Sequence, residues 1–401
     1  MAIQTTSNLS NSIRTQYVAK YMDAAYGARF YEQLAIPVPD ISVEDAIKGS
    51  SVQVNFLSSM APATAAISQT ADLTPQVLAD ATASITPTSR ADALQWAEAV
   101  DIQAYTDYGE KRFVKLGENM MESVEILAID AALNGSWVER AAARASLDAG
   151  TAAHRASDSL FRKYHGMLQS LKVPGWRNEM GDVVWSALMH PFPFHDISES
   201  GNVDAVGIYQ DAGIHLNFEL GKIGPFRLAV SAYAKVFMGA GADNATAVAD
   251  TLASAATRLS KTYVTTSDDS ANVAVGLFWN IGTEETGSTF YPTNEQVKNL
   301  SAVTTTITFA GQGENGGFRF AHAAAEAVNN NDSVYPIVFG GPGSIVKVFA
   351  PQVGEFGETV GPEESGLVHQ FRHIGWKWYG GYGRLKENSL LRHECSVSYE
   401  A

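Results

Sequence analysis

Apolar and polar positions alternate most regularly near the end of the chain. Ile374, Trp376 and Trp378 are separated by His373, Gly375 and Lys377, the period of two expected of a half-buried strand. The glycine-rich run Gly380-Gly381-Tyr382-Gly383 reads as a corner, and a polar turn over 386–389 follows it. A second alternation then begins, with Leu391, His393, Cys395, Val397 and Tyr399 on one face. Arg392, Glu394, Ser396 and Ser398 take the other. The pattern predicts two strands ending the chain inside a sheet, with Ile374, Trp376, Trp378 and Tyr382 in its core.

Upstream, residues 17–35 have the spacing of an amphipathic helix (Tyr17, Tyr21, Ala25, Tyr31, Leu34) stopped before Pro37. Val52, Val54 and Phe56 alternate as a strand, and Ala83 and Ile85 mark a return arm. The long stretch between them is small, polar and punctuated by proline, as in Pro62, with Ile67 among its few apolar residues. A segment with so little core of its own needs another surface, and a neighbouring subunit would provide one. Phe113, Leu116, Met120, Val124 and Leu127 then repeat at helical spacing. Taken from Asp101 to a stop at Asn134-Gly135, that helix would run about 50 Å. A second helix is expected over 157–171, striped by Leu160, Tyr164, Leu168 and Leu171, and a strand over 183–188. Residues 205–238 read as β-rich, with corners at Gly207, Gly213, Gly221 and Gly224-Pro225. The region 240–330 mixes a helix near 245–260 with strands near 273–279 and 303–309. Strands return at 335–339 and 344–349.

A chain of 401 residues, 45% hydrophobic and only 18% charged, can bury a large core and divide into lobes. Its net charge of −15 argues against a dedicated nucleic-acid binder. The exceptions are two basic islands, one holding Arg140, Arg144, Arg155, Arg162 and Lys163, the other spread over 369–393. Contact with phosphate, a solvated face and subunit salt bridges are all open readings of them. The single cysteine, Cys395, excludes an internal disulfide and reads as a small apolar residue on a strand. The opening residues have no apolar stretch of a secretory signal, and no run of eighteen apolar residues occurs, so cytoplasmic synthesis and no membrane span are expected.

Signals for chemistry are weak. Gly311, Gly313 and Gly316 outline a dinucleotide loop between a strand-like TTTITF and a helix-prone AHAAAEAV, but no βαβ partner follows and Asp332 is badly spaced for a ribose. His190, His195 and His215 lie near Asp196, Asp204 and Asp211 without metal-ligand spacing. No nucleophile elbow or Walker loop is present. The expectation is therefore no catalytic residue, no cofactor and no metal.

Five segments in order carry a resemblance. GSSVQVNFLSSMAPATAAI (49–67), KLGENMMESVEILAIDAALNG (115–135), SDSLFRKYHGMLQSLKVPG with VVWSALMHP, YPIVFGG (335–341) and IGWKWYGGYGRLKENSLLRHECS together resemble tailed-phage major capsid proteins of the Hong Kong 97-type fold. More narrowly, they are similar to the coat proteins of N-four-like podoviruses. The resemblance implies an α+β chain with an N-terminal arm (1–48), an extended β-hairpin loop (49–100) and a peripheral domain on a long spine helix (101–180). It further implies an axial domain (181–365) with an insertion at about 240–330, and C-terminal strands (366–401) returning to the sheet.

On that resemblance the chain would be a structural virion protein. It would assemble with itself into pentamers and hexamers of an icosahedral shell, made in the host cytoplasm. Its partners would be a separate scaffolding protein, a portal, a decoration or cement protein and nonspecifically packaged double-stranded DNA, with Arg140, Arg144, Arg155, Arg162 and Lys163 as lumenal basic residues. Val52, Val54, Phe56, Pro62 and Ile67 would meet a neighbouring subunit. No lysine lies between Gly49 and Glu110, so a lysine–asparagine crosslink from this hairpin is excluded. A nanocompartment shell of the same fold is the alternative reading.

Overall fold

The computed structural model describes residues 21, 29–37, 51–57, 60–62, 64, 75–103, 109–177, 182–199, 203–205, 219–243, 248–273, 276–285, 291–350, 353–355, 357–365, 370–384 and 386–400. The chain forms two compact units. One is built from 1–27, 35–127 and 345–385, the other from 28–34, 128–344 and 386–401.

The first unit is organised around one strand, Phe371–Arg384. Thr88–Ala97 runs antiparallel along one of its edges, from Phe371↔Ala97 to Gly380↔Thr88. Glu358–Ser365 and Ile345–Phe349 share the other edge, both antiparallel, and Ala35–Pro37 adds a parallel strand beyond Ile345–Phe349. Ile374, Trp376 and Trp378 are buried on alternate positions, as the sequence predicts. Tyr382 is half-buried and stacks on Trp378 at 6.2 Å and 15°. The run Gly380–Gly383 does not turn, however. The strand continues through it because glycine permits close approach: a Cβ on Gly380 would collide with the Val348 carbonyl and the Trp378 ring, and one on Gly383 with Ile85.

The spine helix spans Gly109–Leu133, 25 residues and about 37 Å. Glu98–Gln103 is a separately described short helix, and 104–108 between the two lie outside the described residues. The spacing of Phe113, Leu116, Met120 and Val124 gives the buried stripe, while Leu127 is only half-buried. The predicted N-terminal helix is corrected at its end. Tyr31–Leu34 is a 3-10 turn and Ala35–Pro37 a strand, because the backbone there pairs with Ile345–Lys347. Tyr17 and Ala25 lie outside the described residues.

The second unit holds an eight-stranded mixed sheet. Its order is Val138–Arg140, Leu390–Cys395, Tyr335–Gly340, Val183–Met189, Phe226–Val230, Glu219–Ile223 and Asp204–Ala205, with Trp176–Arg177 on Val183–Met189. The two C-terminal alternations therefore enter different sheets. The helix Asp158–Ser170 buries Phe161, Tyr164 and Leu168. The predicted stripe shared only Tyr164 and Leu168, since Leu160 is half-buried and Leu171 exposed. Phe161, Phe226 and Phe339 form a triangle of edge-to-face rings at 5.2–5.6 Å. Gly224, at φ +54°, makes the tight turn before Phe226, whereas Gly221 lies inside a strand; Gly207 and Gly213 fall outside the described residues.

Within 249–329 lies a six-stranded antiparallel sheet with its own core of Tyr263, Trp279, Ile281, Val297, Ile307, Phe309 and Phe318. The helix expected near 245–260 is absent among the described residues. Ala249–Thr251 pairs with Ala327–Asn329 instead, so tertiary pairing overrides the alanine-rich composition. The glycine loop is a closed turn, with Gly313 N donating to Gly317 O at 2.8 Å, and AHAAAEAV continues as a turn and strand. The Glu295 carboxylate pins this segment by accepting from the Arg319 and Phe320 amides at 2.9 and 2.6 Å.

In the eight-stranded sheet, His393 is buried and its Nδ1 lies 2.6 Å from the Tyr164 hydroxyl. Burial, with the Lys163 charge adding to it, pushes the His393 pKa down to about 4. The unfolded chain, near 6.5, binds the proton first, so this group draws stability down as pH falls from about 6.5 to about 4. His190, also held at about 4 by burial, acts in the same sense. The urea midpoint of a His393→Gln chain is therefore expected to fall less than that of the unaltered chain between pH 6.5 and pH 4, with His190 maintaining part of the slope.

Candidate assembly surfaces

The extended hairpin is rooted by packing and open at its far end. Val52–Leu57 and Asp80–Ile85 pair antiparallel, from Val52↔Ile85 to Leu57↔Asp80. Val52, Val54 and Ile85 are buried together with Val346 and Val348, which fixes the root on the five-stranded sheet. Beyond the root the burial stops. Leu57 is 67% exposed, Met60 59%, Val77 95% and Leu78 45%. Two reciprocal hydrogen bonds of 3.1 Å between the Gln76 side chain and the Ala61 backbone brace the mouth of the loop. Pro62 is exposed, Phe56 occupies a strand position, and Ile67 lies outside the described residues. Several large apolar side chains left in water near one end of a hairpin mark a surface that another surface can cover. Besides Pro62, which the sequence singled out, the described residues expose Leu57, Met60, Val77 and Leu78 here, which it did not. The signal was available, because Leu57 breaks the in–out alternation of Val52 and Val54.

The same unit extends the apolar exposure onto the element after the hairpin, where Leu94, Val100 and Ile102 are 40%, 46% and 78% exposed. The strand Thr88–Ala97 was not anticipated from sequence. Its positions are exposed or half-buried throughout, so no alternation announces it, and the edge of Phe371–Arg384 organises it instead. Its end is clamped to the spine helix. Trp96 Nε1 donates to Asp101 at 2.7 Å, Arg112 pairs with Asp101 at 2.7 Å, and the Arg112 guanidinium lies 4.1 Å over the Trp96 ring. Trp376 Nε1 donates to Asn119 Oδ1 at 2.9 Å, holding the helix to the sheet.

The five basic residues proposed to face a lumen do not form one free patch. Arg140 and Arg144 reach Glu394 at 2.6 Å each, and Arg392 reaches it at 3.0 Å. Glu394 is fully buried. Burial works to raise its pKa, yet the Arg144, Arg392 and Arg140 guanidiniums outweigh it and hold the carboxyl below its usual range. Arg155 donates to the Ala149 carbonyl at 2.9 Å, and Lys163 pairs with Glu139 at 3.0 Å. Arg162 is exposed. Arg140, Arg144 and Arg155 thus hold the chain together, and Glu394, read from sequence only as a position on the second face of a strand, is the residue that Arg140, Arg144 and Arg392 surround. Among the described residues, no group of three or more histidine, cysteine or carboxylate side chains is arranged to hold a metal. His190 caps a short helix by accepting from Phe192 N at 3.4 Å, and Cys395 is buried with its thiol donating to Tyr335 O at 3.3 Å.

No known protein family's sequence signature matches the chain, and no curated protein does. Solved structures do. A chain from the capsid of Ralstonia phage GP4 superposes with a TM-score of 0.52 at 11% identity, covering 92% of this chain and 91% of that one. The chain has the fold of a phage capsid protein. That is the α+β Hong Kong 97-type architecture. The capsid of cyanophage P-SCSP1u gives 0.48 at 12% identity (90% and 86% covered), and Mycobacterium phage Che8 gives 0.46 at 9% (91% and 91%).

Replacing Glu394 with alanine leaves three guanidiniums without the carboxylate that neutralises them. A destabilisation of about 3–5 kcal/mol is expected from urea unfolding, with Glu394→Gln, which retains an acceptor, losing less.

Proposed function

We propose that this chain is the major capsid protein of a tailed double-stranded DNA bacteriophage, of the N-four-like podovirus kind. It would assemble with itself into the pentamers and hexamers of an icosahedral shell. The observation that carries the reading is a capsid fold matched over nine-tenths of both chains. A shell protein needs surfaces unsatisfied in the monomer and stable roots to present them. The buried Val52, Val54 and Ile85 with the exposed Leu57, Val77 and Leu78 meet both requirements.

In this reading the hairpin lies across a neighbouring subunit, the spine helix belongs to a peripheral domain, and the 240–330 sheet is an insertion in an axial domain. The role is structural and no catalysis is assigned. A separate scaffolding protein, a portal and a decoration protein would complete the particle, assembled in the host cytoplasm around nonspecifically held DNA. With Arg140 and Arg144 engaged by Glu394, contact with DNA would fall to Arg162 and other exposed cations.

Sedimentation velocity of the purified chain, alone and co-expressed with a candidate scaffolding protein, is expected to give closed shells tens of nanometres across in negative stain. A chain that stays monomeric in both conditions would overturn the reading, and shells filled with an enzyme cargo would point to a nanocompartment. Because the hairpin contains no lysine, dissociated shells are expected to run as a single monomer band on a denaturing gel, without a crosslinked ladder.

A further inference from the structure

Among the described residues of the first unit, several cations are matched with acids. Arg112 pairs with Asp101, Lys347 with Glu355, Lys377 with Glu358, and Arg372 with Glu98, Asp101 and Glu364. Arg90 departs from this pattern. It is half-buried, its Nε is shielded from solvent and has no acceptor, and among the described residues no carboxylate pairs with it. Leaving an arginine without an acid is unusual in a chain of 43 acidic and 28 basic residues. Its cross-strand neighbour Trp378, 2% exposed, likewise has an indole N–H without an acceptor. Buried donors are normally satisfied, so the guanidinium of Arg90, which also borders a concavity, is placed to take an acceptor from outside the chain.

The surroundings can admit one. Arg90 lines an open concavity of about 390 Å³ together with Thr88, Asp92, Ser123 and Trp376. Asp92 also contributes a carboxylate there, but it accepts from the Ala93 amide at 2.8 Å and stands opposite Trp376, two cross-strand pairs away from Arg90. The concavity therefore has a cationic end and an anionic end, and an acid entering it is directed to Arg90.

Asp80 is the complementary case. It is exposed at the far end of the hairpin, opposite Leu57 and beside Val77 and Leu78, and among the described residues it has no cationic partner. One copy does not bring the two together. Asp80 lies five residues before Ile85, ~16 Å of strand, and Asp80–Ile85 does not pair with Thr88–Ala97. We propose that Asp80 at the hairpin end of one copy enters the Arg90 concavity of a second copy, so that the apolar residues around it are covered and the half-buried guanidinium neutralised. This names the contact partner within the assembly reading and rests on it. A half-buried arginine–carboxylate pair ringed by apolar contacts would fix the register of the hairpin on its neighbour more than add raw affinity.

A charge exchange tests the pair. Arg90→Asp and Asp80→Arg should each lower the yield of closed shells about tenfold, and the double variant should return to within about twofold of the unaltered chain. Thermal unfolding of the unassembled variants checks that each retains its fold. Arg90→Cys combined with Asp80→Cys should give inter-copy disulfide ladders on a non-reducing gel of oxidised shells, with the buried Cys395 not competing. Single variants that assemble normally, a double variant no better than the singles, or an absence of ladders would each remove the pair while leaving the capsid reading intact. Failure of the unaltered chain to assemble, even with scaffold, would remove both.

Discussion

Backbone pairing along both edges of one long strand is the constraint on which the first unit depends. Phe371–Arg384 hydrogen-bonds to Thr88–Ala97 on one side and to Glu358–Ser365 and Ile345–Phe349 on the other. An edge strand as exposed as Thr88–Ala97 has little packing of its own to hold it, so the ladder places it, and with it Arg90 and Trp96. The same strand locates the spine helix through Trp376 and the hairpin root through Gly383 and its neighbour Ile345–Phe349. Its glycines are therefore structural in a specific sense: removing side chains at 380 and 383 lets backbone and Ile85 approach where a Cβ would separate them.

In the second unit the corresponding part is played by a charge. Glu394 is buried in the strand Leu390–Cys395, surrounded by guanidiniums from the adjoining strand (Arg140), the following turn (Arg144) and its own strand (Arg392). A buried carboxylate tolerates burial only with such partners, and the partners then become fixed by it. This is why positive charge that looks available in the sequence is in part already paired within the fold. Charge clustering in a sequence establishes neither exposure nor the sign of the surface presented, since the acid that neutralises an arginine can come from 250 residues away.

These two arrangements separate stable framework from unsatisfied surface. The framework is closed by ladders, aromatic packing and a neutralised charge cluster. The hairpin end, by contrast, exposes Leu57, Val77 and Leu78 against a root of only Val52, Val54 and Ile85 on Val346 and Val348. Only Leu57 of these belongs to the paired strands, and the cost of the exposure is relieved by a second surface.

By itself the sequence determined the elements whose residues repeat strictly. The spine helix stripe at Phe113, Leu116, Met120 and Val124, the hairpin strands, the alternation of Ile374, Trp376 and Trp378, and the strands over 183–189 and 335–340 all follow from local period and burial. Tertiary structure decided what has no local period. It turned an alanine-rich stretch into the edge of a six-stranded sheet, carried a strand straight through four residues that look like a corner, and assigned the two C-terminal alternations to different sheets. It also gave Arg140 and Arg144 to a distant buried acid and left Arg90 without one. The physical reason is the same in each case. Hydrophobic period is a property of neighbouring residues, whereas strand partners, close backbone approach and charge neutralisation depend on residues that meet only when the chain has folded.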